Sequence, residues 1–222
     1  MSDRFVVIGA GGHGRVVADA LRACGSQVVG FVDGNPALVG TRPGKDEARV
    51  IATLDELLND PEGVPLALAG EDASALAFAL GIGDNEARLS IVAGLAGRPL
   101  PPIVHPAAYV STSASIGPGS VVLPGAVVHT SARIGCAVIV NSGAVVEHDC
   151  VVADGAHVSP NATLAGGVRV GEGAWIGAGA TVIEGRAVGA WALVGAGASV
   201  IRDVEAHTRV VGVPARVLGD AR

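Results

Sequence analysis

The apolar positions of this chain follow two different rhythms. From residue 104 onward every sixth position is aliphatic: Val104, Val110, Ile116, Val122, Val128, Ile134, Val140, Val146, Val152, Val158, Leu164, Val170, Ile176, Val182, Val188, Val194 and Val200. The series runs through seventeen positions and breaks only at Ala206. With roughly a third of positions in globular proteins that apolar, chance does not compete. A period of six matches neither the 3.6 of a helix nor the 2 of a flat strand. It suits a solenoid in which each hexapeptide supplies one short strand and a turn, its aliphatic residue facing inward. Three hexapeptides close a triangular coil, so residues 18 apart stack at about the 4.8 Å strand spacing. Glycines and small residues in "IGPGS", "IGAGA" and "VGAGA" permit the tight corners. Residues 104–216 hold about five or six such coils, followed by a short tail to residue 222.

Residues 1–95 read differently. "RFVVIGA" is a short buried strand, and "GRVVADALRACG" has helical apolar spacing before a glycine stop. "QVVGFVD" is a second strand ending in Asp33, and "TLDELLND" is a helix with Thr53 as N-cap and an acidic first turn. "VPLALAG" predicts a third strand, "DASALAFAL" another helix and "ARLSIV" a last strand. Alternating strands and helices imply a small Rossmann-like parallel sheet covered by helices. The Gly/Pro-rich stretch around residues 96–103 is the linker between this α/β domain and the repeats.

Composition narrows the reading. Half of the 222 residues are apolar but only 3% are aromatic, with 33 glycines, so the core is narrow and repetitively packed. A net charge of −6 with no basic cluster argues against a nucleic-acid partner. Cys24, Cys136 and Cys150 are odd in number, lack CxxC spacing and read as small buried hydrophobes in a reducing compartment. Without a signal-peptide pattern or an 18-residue apolar run, a soluble, cytoplasmic chain with no membrane span is expected. The six histidines show neither H-x₃-H nor HExxH spacing, so no metal is expected.

The N-terminal "GAGGHG", Gly9 to Gly14, matches G-x-G-x-x-G between a strand and a helix, with Asp33 ending the next strand. Gly11, Gly12 and Gly14 permit close backbone approach, and the helix N-terminus favours a phosphate. Taken alone this suggests NAD. The domain is too short for a second mononucleotide half, and no hydride-transfer domain follows, so one nucleotide is the better reading. His13 either touches a phosphate or sugar or caps the helix start. Asp33 either binds a ribose hydroxyl or base or closes a strand-end turn. Asp84 and Asn85 of "GIGDN" belong to the same pocket or to a plain turn.

The chain resembles one family along nearly its whole length. "VVIGAGGHGRVVADAL", "GIGDN", "EHDC" at 147–150 and "VVGVPARVL" together resemble the sialic acid O-acetyltransferase and nucleotide-linked aminosugar N-acetyltransferase family, hexapeptide-repeat acyltransferases with a left-handed parallel β-helix. The left hand comes from the resemblance alone and departs from the usual crossover rule. The resemblance implies acetyl-CoA as cosubstrate and a homotrimer with acetyl-CoA between adjacent helices. It also implies an α/β half that holds the nucleotide of the acceptor.

Acetyl transfer from a thioester needs a base for the attacking amine or hydroxyl and donors for the oxyanion. His148, in the Glu-His-Asp triplet, is the candidate base, because an imidazole titrates near neutrality. Asp149 is preferred as its orienting acid because the family pattern places an acid directly after the histidine; Glu147 is the reserve. In extended chain, neighbours point to opposite faces, so His148 and Asp149 need a bend to meet. One coil on from His148 stands Gly166, followed by Gly167. The resemblance makes the Gly166 N–H the oxyanion donor. Asn141 contacts substrate or histidine, or is purely structural. His157, nine residues after His148, lies on another side of the coil and reaches the same cleft only across a subunit boundary. His105, His129 and His207 are expected exposed and without a role, and Cys150 is a packing residue.

The expected activity is N-acetylation of a nucleotide-linked 4-amino-4,6-dideoxy sugar in bacterial glycan biosynthesis, by direct transfer. The alternatives are O-acetylation of sialic acid or another sugar by the same fold, and a non-catalytic nucleotide-binding solenoid.

Overall fold

The computed structural model describes residues 4–45, 47–59, 76–95 and 97–221. The chain divides into two compact units, Met1–Ile103 and Val104–Arg222.

In the first unit β1 (Arg4–Ile8), α1 (Gly12–Ala23), β2 (Gln27–Asp33), β3 (Val50–Thr53), α2 (Leu54–Asn59), β4 (Ala77–Leu80) and α3 (Asn85–Gly94) follow one another. The strands form one parallel sheet in the order β3-β2-β1-β4. Phe5 to Ile8 and Ala77 to Leu80 are all buried, as strands covered on both faces must be. Thr53 and Glu56 form a reciprocal capping box at the start of α2: the Glu56 N–H donates to Thr53 Oγ1 (3.1 Å) and the Thr53 N–H to Glu56 Oε2 (2.7 Å).

Three expectations need correction or fall outside the description. Residues 77–80 of the expected helix "DASALAFAL" are strand β4, paired with β1; a short continuous apolar run carries no period to tell a buried strand from a buried helix. The expected strand "ARLSIV" lies inside α3. There Asp84 caps the helix by accepting the Ala87 N–H (2.8 Å), so "GIGDN" is the entry to a helix rather than an open turn. The expected strand at 64–70 lies outside the described residues. β3 had no counterpart in the sequence reading.

The second unit is a left-handed parallel β-helix. Seventeen two-residue strands, from Ile103–Val104 to Ser199–Val200, each end on one of the period-six aliphatic residues. Strands 18 residues apart pair in parallel, as in Val145↔Thr163 and Val151↔Arg169, building three sheets around one core. A second inward column stands two residues before the first: Ala126, Ala132, Ala144, Ala156, Ala162, Ala174 and Ala180 are fully buried beside the valines. Alternating small and branched side chains fill the narrow triangle without aromatic rings. Cys150 occupies one of these alanine slots, its Sγ 3.1 Å from the Ala165 carbonyl, and burial pushes its thiol pKa up. Its side chain packs in the core of the β-helix.

From Gly119 to Gly197 the third residue of every turn is left-handed. Glycine fills most of these positions, but Ser131, Ala137, Asp149, Asn161, Trp191 and His207 also adopt φ of 53–60°. A left-handed non-glycine costs roughly 1–2 kcal/mol. At Asp149 it re-aims the side chain back along the turn. A hairpin of Thr208–Val211 and Arg216–Asp220 closes the chain.

Candidate active site

Val145–Val146 belongs to one sheet and Val151–Val152 to another; His148 is the second residue of the turn between them. The backbone is pinned from both sides: the Asp149 N–H donates to Thr130 O (3.1 Å) one coil back, and the Gly167 N–H to His148 O (2.9 Å) one coil on. The φ of 60° at Asp149 supplies the bend that neighbouring side chains need, and brings its Oδ2 to 2.8 Å from His148 Nδ1. A carboxylate only accepts, so in the neutral ring this contact places the proton on Nδ1 and the lone pair on Nε2.

Nε2 lies over Gly166. A Cβ at position 166 would come 2.6 Å from it, closer than carbon and nitrogen can pack. The φ of Gly166 is not left-handed, whereas that of Gly167 is +68°. Glycine at 166 therefore answers to space and glycine at 167 to conformation. Among the described residues the Gly166 N–H donates to no protein acceptor, while its carbonyl accepts the Gly185 N–H (2.9 Å). A lone-pair nitrogen and an uncommitted amide thus share one corner.

Glu147 is turned away from His148. Its Oε1 stands 3.7 Å from His129 Nε2 in the preceding coil, and Tyr109 lies against His129 with ring centroids 5.9 Å apart. His129 is half-buried and has a carboxylate neighbour, whereas it was expected to be exposed. His105 is also half-buried, its Nδ1 accepting the Ala107 N–H (3.0 Å); His207 is exposed.

Asn141 and His157 form a separate group on another side of the coil. Asn141 Nδ2 is 3.0 Å from His157 Nε2, and His157 stacks on Trp175. Within one chain the structure brings together His148, Asp149 and Gly166, and separately Asn141 and His157. Trp175 and Ser159, which join the second group, were missed by the sequence reading; their place 18 and 2 residues after His157 was the available signal.

In the α/β unit the glycine loop is tightly built. A Cβ on Gly14 would fall 1.8 Å from Gly9 O, so α1 starts directly against the end of β1. Asp33 accepts the Ala10 N–H (2.8 Å) through Oδ2 and the Asn35 N–H (2.9 Å) through Oδ1, tying the loop to the end of β2. Gly11 and Gly12 are exposed, with nothing near their would-be Cβ atoms, leaving an open approach to the start of α1. His13 does not cap α1, whose N-cap is Gly11, but is its second residue. Its Nε2 is buried without a hydrogen-bond partner among the described residues. Burial, then the nearby Arg88 guanidinium, lowers its pKa to about 4. Arg88 was not anticipated. Fully buried, it donates to the carbonyls of Ile82, Gly83 and Asp84 and to Asn85 Oδ1, and so shapes "GIGDN" from within.

A histidine whose folded pKa lies below its unfolded value contributes stability that is complete above pH 6.5 and lost as pH falls toward the folded value. The α/β unit is therefore expected to lose on the order of 3 kcal/mol through His13 between pH 6.5 and about 4. Hydrogen exchange of the β1 and α1 amides checks this, and His13→Gln should remove that part of the pH dependence.

Comparisons with known proteins agree with this architecture. Residues 4–95 match the PglD N-terminal domain family. The acetyltransferase domain of PglB from Neisseria gonorrhoeae FA1090, solved in complex with acetyl coenzyme A, is 36% identical, with a TM-score of 0.86 over 98% of this chain and 100% of that one. The chain belongs to the hexapeptide-repeat sugar acetyltransferases. It is an acyltransferase. PerB from Caulobacter crescentus, in complex with CoA and GDP-perosamine, is 37% identical to this acetyltransferase, with a TM-score of 0.82 and 97% of each chain covered. WeeI from Acinetobacter baumannii AYE is 26% identical, with a TM-score of 0.81 over 96% of this chain and 99% of that one. No curated protein matches the acetyltransferase. Among the described residues no helix is long and apolar enough to cross a membrane, and no three His, Cys, Asp or Glu side chains gather as metal ligands.

Proposed function

We propose that this acetyltransferase moves the acetyl group of acetyl-CoA to the amine of a nucleotide-linked 4-amino-4,6-dideoxy sugar, with His148 as general base. The observation that carries the reading is the corner itself: His148 Nδ1 held by Asp149 at 2.8 Å, and Nε2 over Gly166, whose N–H is uncommitted. The attacking amine loses its proton to Nε2, the Asp149 carboxylate stabilises the imidazolium, and the Gly166 N–H donates to the oxyanion of the tetrahedral intermediate. Collapse expels the CoA thiolate. Among the described residues no cysteine or serine stands beside His148 in the arrangement of an acyl-enzyme nucleophile, which favours direct transfer within a ternary complex.

The acceptor class is supported by the bound GDP-perosamine of the 37% identical PerB, and the donor by the acetyl coenzyme A of the PglB domain. Gly11, Gly12, His13, Gly14 and Asp33 are assigned to the nucleotide. With Asp33 committed to two backbone amides and His13 neutral, the exposed glycine amides at the start of α1 are the donors left for a diphosphate. In a homotrimer, Asn141 and His157 of one copy join the cleft that holds His148 of its neighbour; molar mass in solution tests the assembly.

The deciding assay is CoA release with a panel of UDP-, GDP- and dTDP-linked 4-amino sugars, beside the corresponding hydroxyl sugars and free sialic acid. Turnover with an amino sugar nucleotide is expected. Turnover confined to hydroxyl acceptors would replace the reading by O-acetylation, and none with any acceptor would leave a non-catalytic solenoid. Asp149→Asn keeps a residue that tolerates the left-handed turn but removes the charge. Because both side chains are more than half exposed, the charged hydrogen bond stands at the weak end of its range. A fall in kcat/KM of about tenfold is expected, with KM for acetyl-CoA unchanged.

A further inference from the structure

The corner of His148 has two sides along the axis of the β-helix. On the later side stands Gly166, with His148 Nε2 over it. An acyl group whose oxyanion takes the Gly166 N–H occupies that side. The acceptor then has to extend over the coils before His148. Those coils carry three neighbouring side chains that the proton transfer does not use: Glu147, His129 and Tyr109. The backbone ladder sets their places. The Glu147 N–H donates to Leu164 O (3.0 Å), the His129 N–H donates to Val146 O (2.9 Å), and Tyr109 pairs with Val127, two residues before His129.

Glu147 and His129 stand one coil apart in the same column, with Oε1 3.7 Å from Nε2. That separation is beyond a hydrogen bond, and among the described residues the Glu147 carboxylate accepts none. A carboxylate only accepts, so the imidazole nitrogen turned toward it holds its proton. The two groups therefore present an acceptor and a donor side by side, and one hydroxyl answers both, donating to Oε1 and accepting from Nε2–H. Tyr109 supplies an apolar face beside them. The single tyrosine of the chain is 58% exposed, and its ring is tilted against His129 with centroids 5.9 Å apart. An exposed ring next to a fixed donor–acceptor pair matches a pyranose, which has a C–H face for the ring and hydroxyls at its edge for the pair.

We propose that Tyr109, His129 and Glu147 form the subsite for the sugar ring of the acceptor, with a ring hydroxyl bridging Glu147 Oε1 and His129 Nε2 and the pyranose face against Tyr109. These residues determine specificity: they hold the ring so that its amine reaches His148, and they move no proton themselves. The proposal rests on the reading of His148 and Gly166 as the acyl-transfer corner.

Steady-state kinetics of the full-length protein test the subsite, using whichever of the UDP-, GDP- and dTDP-linked 4-amino sugars the wild type turns over fastest. Glu147→Ala and His129→Ala should each raise the KM for the sugar nucleotide about tenfold, the weak end for a charged hydrogen bond because both side chains are partly exposed. The kcat should change by less than about threefold. The KM for acetyl-CoA should stay unchanged, and so should the inhibition constant of the matching free nucleoside diphosphate, which lacks the sugar. Glu147→Gln keeps an accepting oxygen and should lose less than Glu147→Ala. Tyr109→Phe keeps the ring and the wild-type KM, whereas Tyr109→Ala should raise the KM severalfold. Melting curves confirm that each variant is folded. A sugar-nucleotide KM that none of the alanine variants moves overturns the proposal. So does an equal loss of affinity for the free nucleoside diphosphate, or a loss confined to kcat, since these place the residues at the nucleotide or at the base. A wild type that turns over none of the amino sugar nucleotides overturns the functional reading itself, and the subsite with it.

Discussion

His148→Ala is expected to lower kcat/KM for acetyl transfer by about 10²–10⁴-fold, the range a positioned general base contributes. His148 is exposed at the second position of a turn, and its backbone contacts, the Gly167 N–H to its carbonyl among them, survive truncation. The melting temperature should therefore stay within a degree or two of the wild type. Steady-state kinetics with saturating acetyl-CoA measure the effect, and the loss should appear in kcat rather than in the KM for the donor. A variant that retains a tenth or more of the wild-type kcat/KM would remove His148 from the base role. Asp149 would then be left with no chemical reason for its left-handed turn.

The second large effect is expected from a single methyl group. In Gly166→Ala the new Cβ would occupy a point 2.6 Å from His148 Nε2 and 2.7 Å from its Cε1. The fold accommodates this cheaply, because the atoms in the way are the far end of an exposed side chain and the backbone at 166 is not left-handed. What gives way is the imidazole. Its base nitrogen leaves the position above the Gly166 N–H, and misplacement by about 1 Å costs on the order of 10²-fold in rate. Gly167→Ala is the control. Nothing lies within 4 Å of its would-be Cβ, but its φ of +68° is left-handed. That variant should lose roughly 1 kcal/mol of stability and keep most of its activity. Kinetics and denaturant unfolding of the two variants side by side separate the roles of adjacent glycines. If Gly166→Ala proved fully active, the corner would not be the reaction site.

Legibility in the sequence differed between the two halves for a physical reason. In the β-helix one residue in six points into a triangular core with no alternative partner, so each hexapeptide states its own geometry, and Val104 to Val200 announce all seventeen strands. The 18-residue coil likewise places Gly166 beside His148 by arithmetic alone. In the α/β unit β1 and β4 are buried on both faces and carry no alternation. Ala77–Leu80 could not be told from a helix, and the helix of Asn85–Gly94 could not be told from a strand. The buried Arg88 was invisible for the same reason: nothing local marks an arginine that spends its donors on the carbonyls of Ile82, Gly83 and Asp84.

The sequence by itself determined the repeat, its period and the column that joins His148 to Gly166, because these follow from spacing along the chain; its motifs carried the family resemblance. Direction was decided only by the tertiary structure. Whether Asp149 or Glu147 faces His148 depends on a φ of 60° at Asp149 and on His129 one coil back, which draws Glu147 away. Spacing sets which residues are neighbours. Which atom of a neighbour points inward, and which nitrogen holds a proton, is set by torsions and hydrogen bonds that exist only once the coils have stacked.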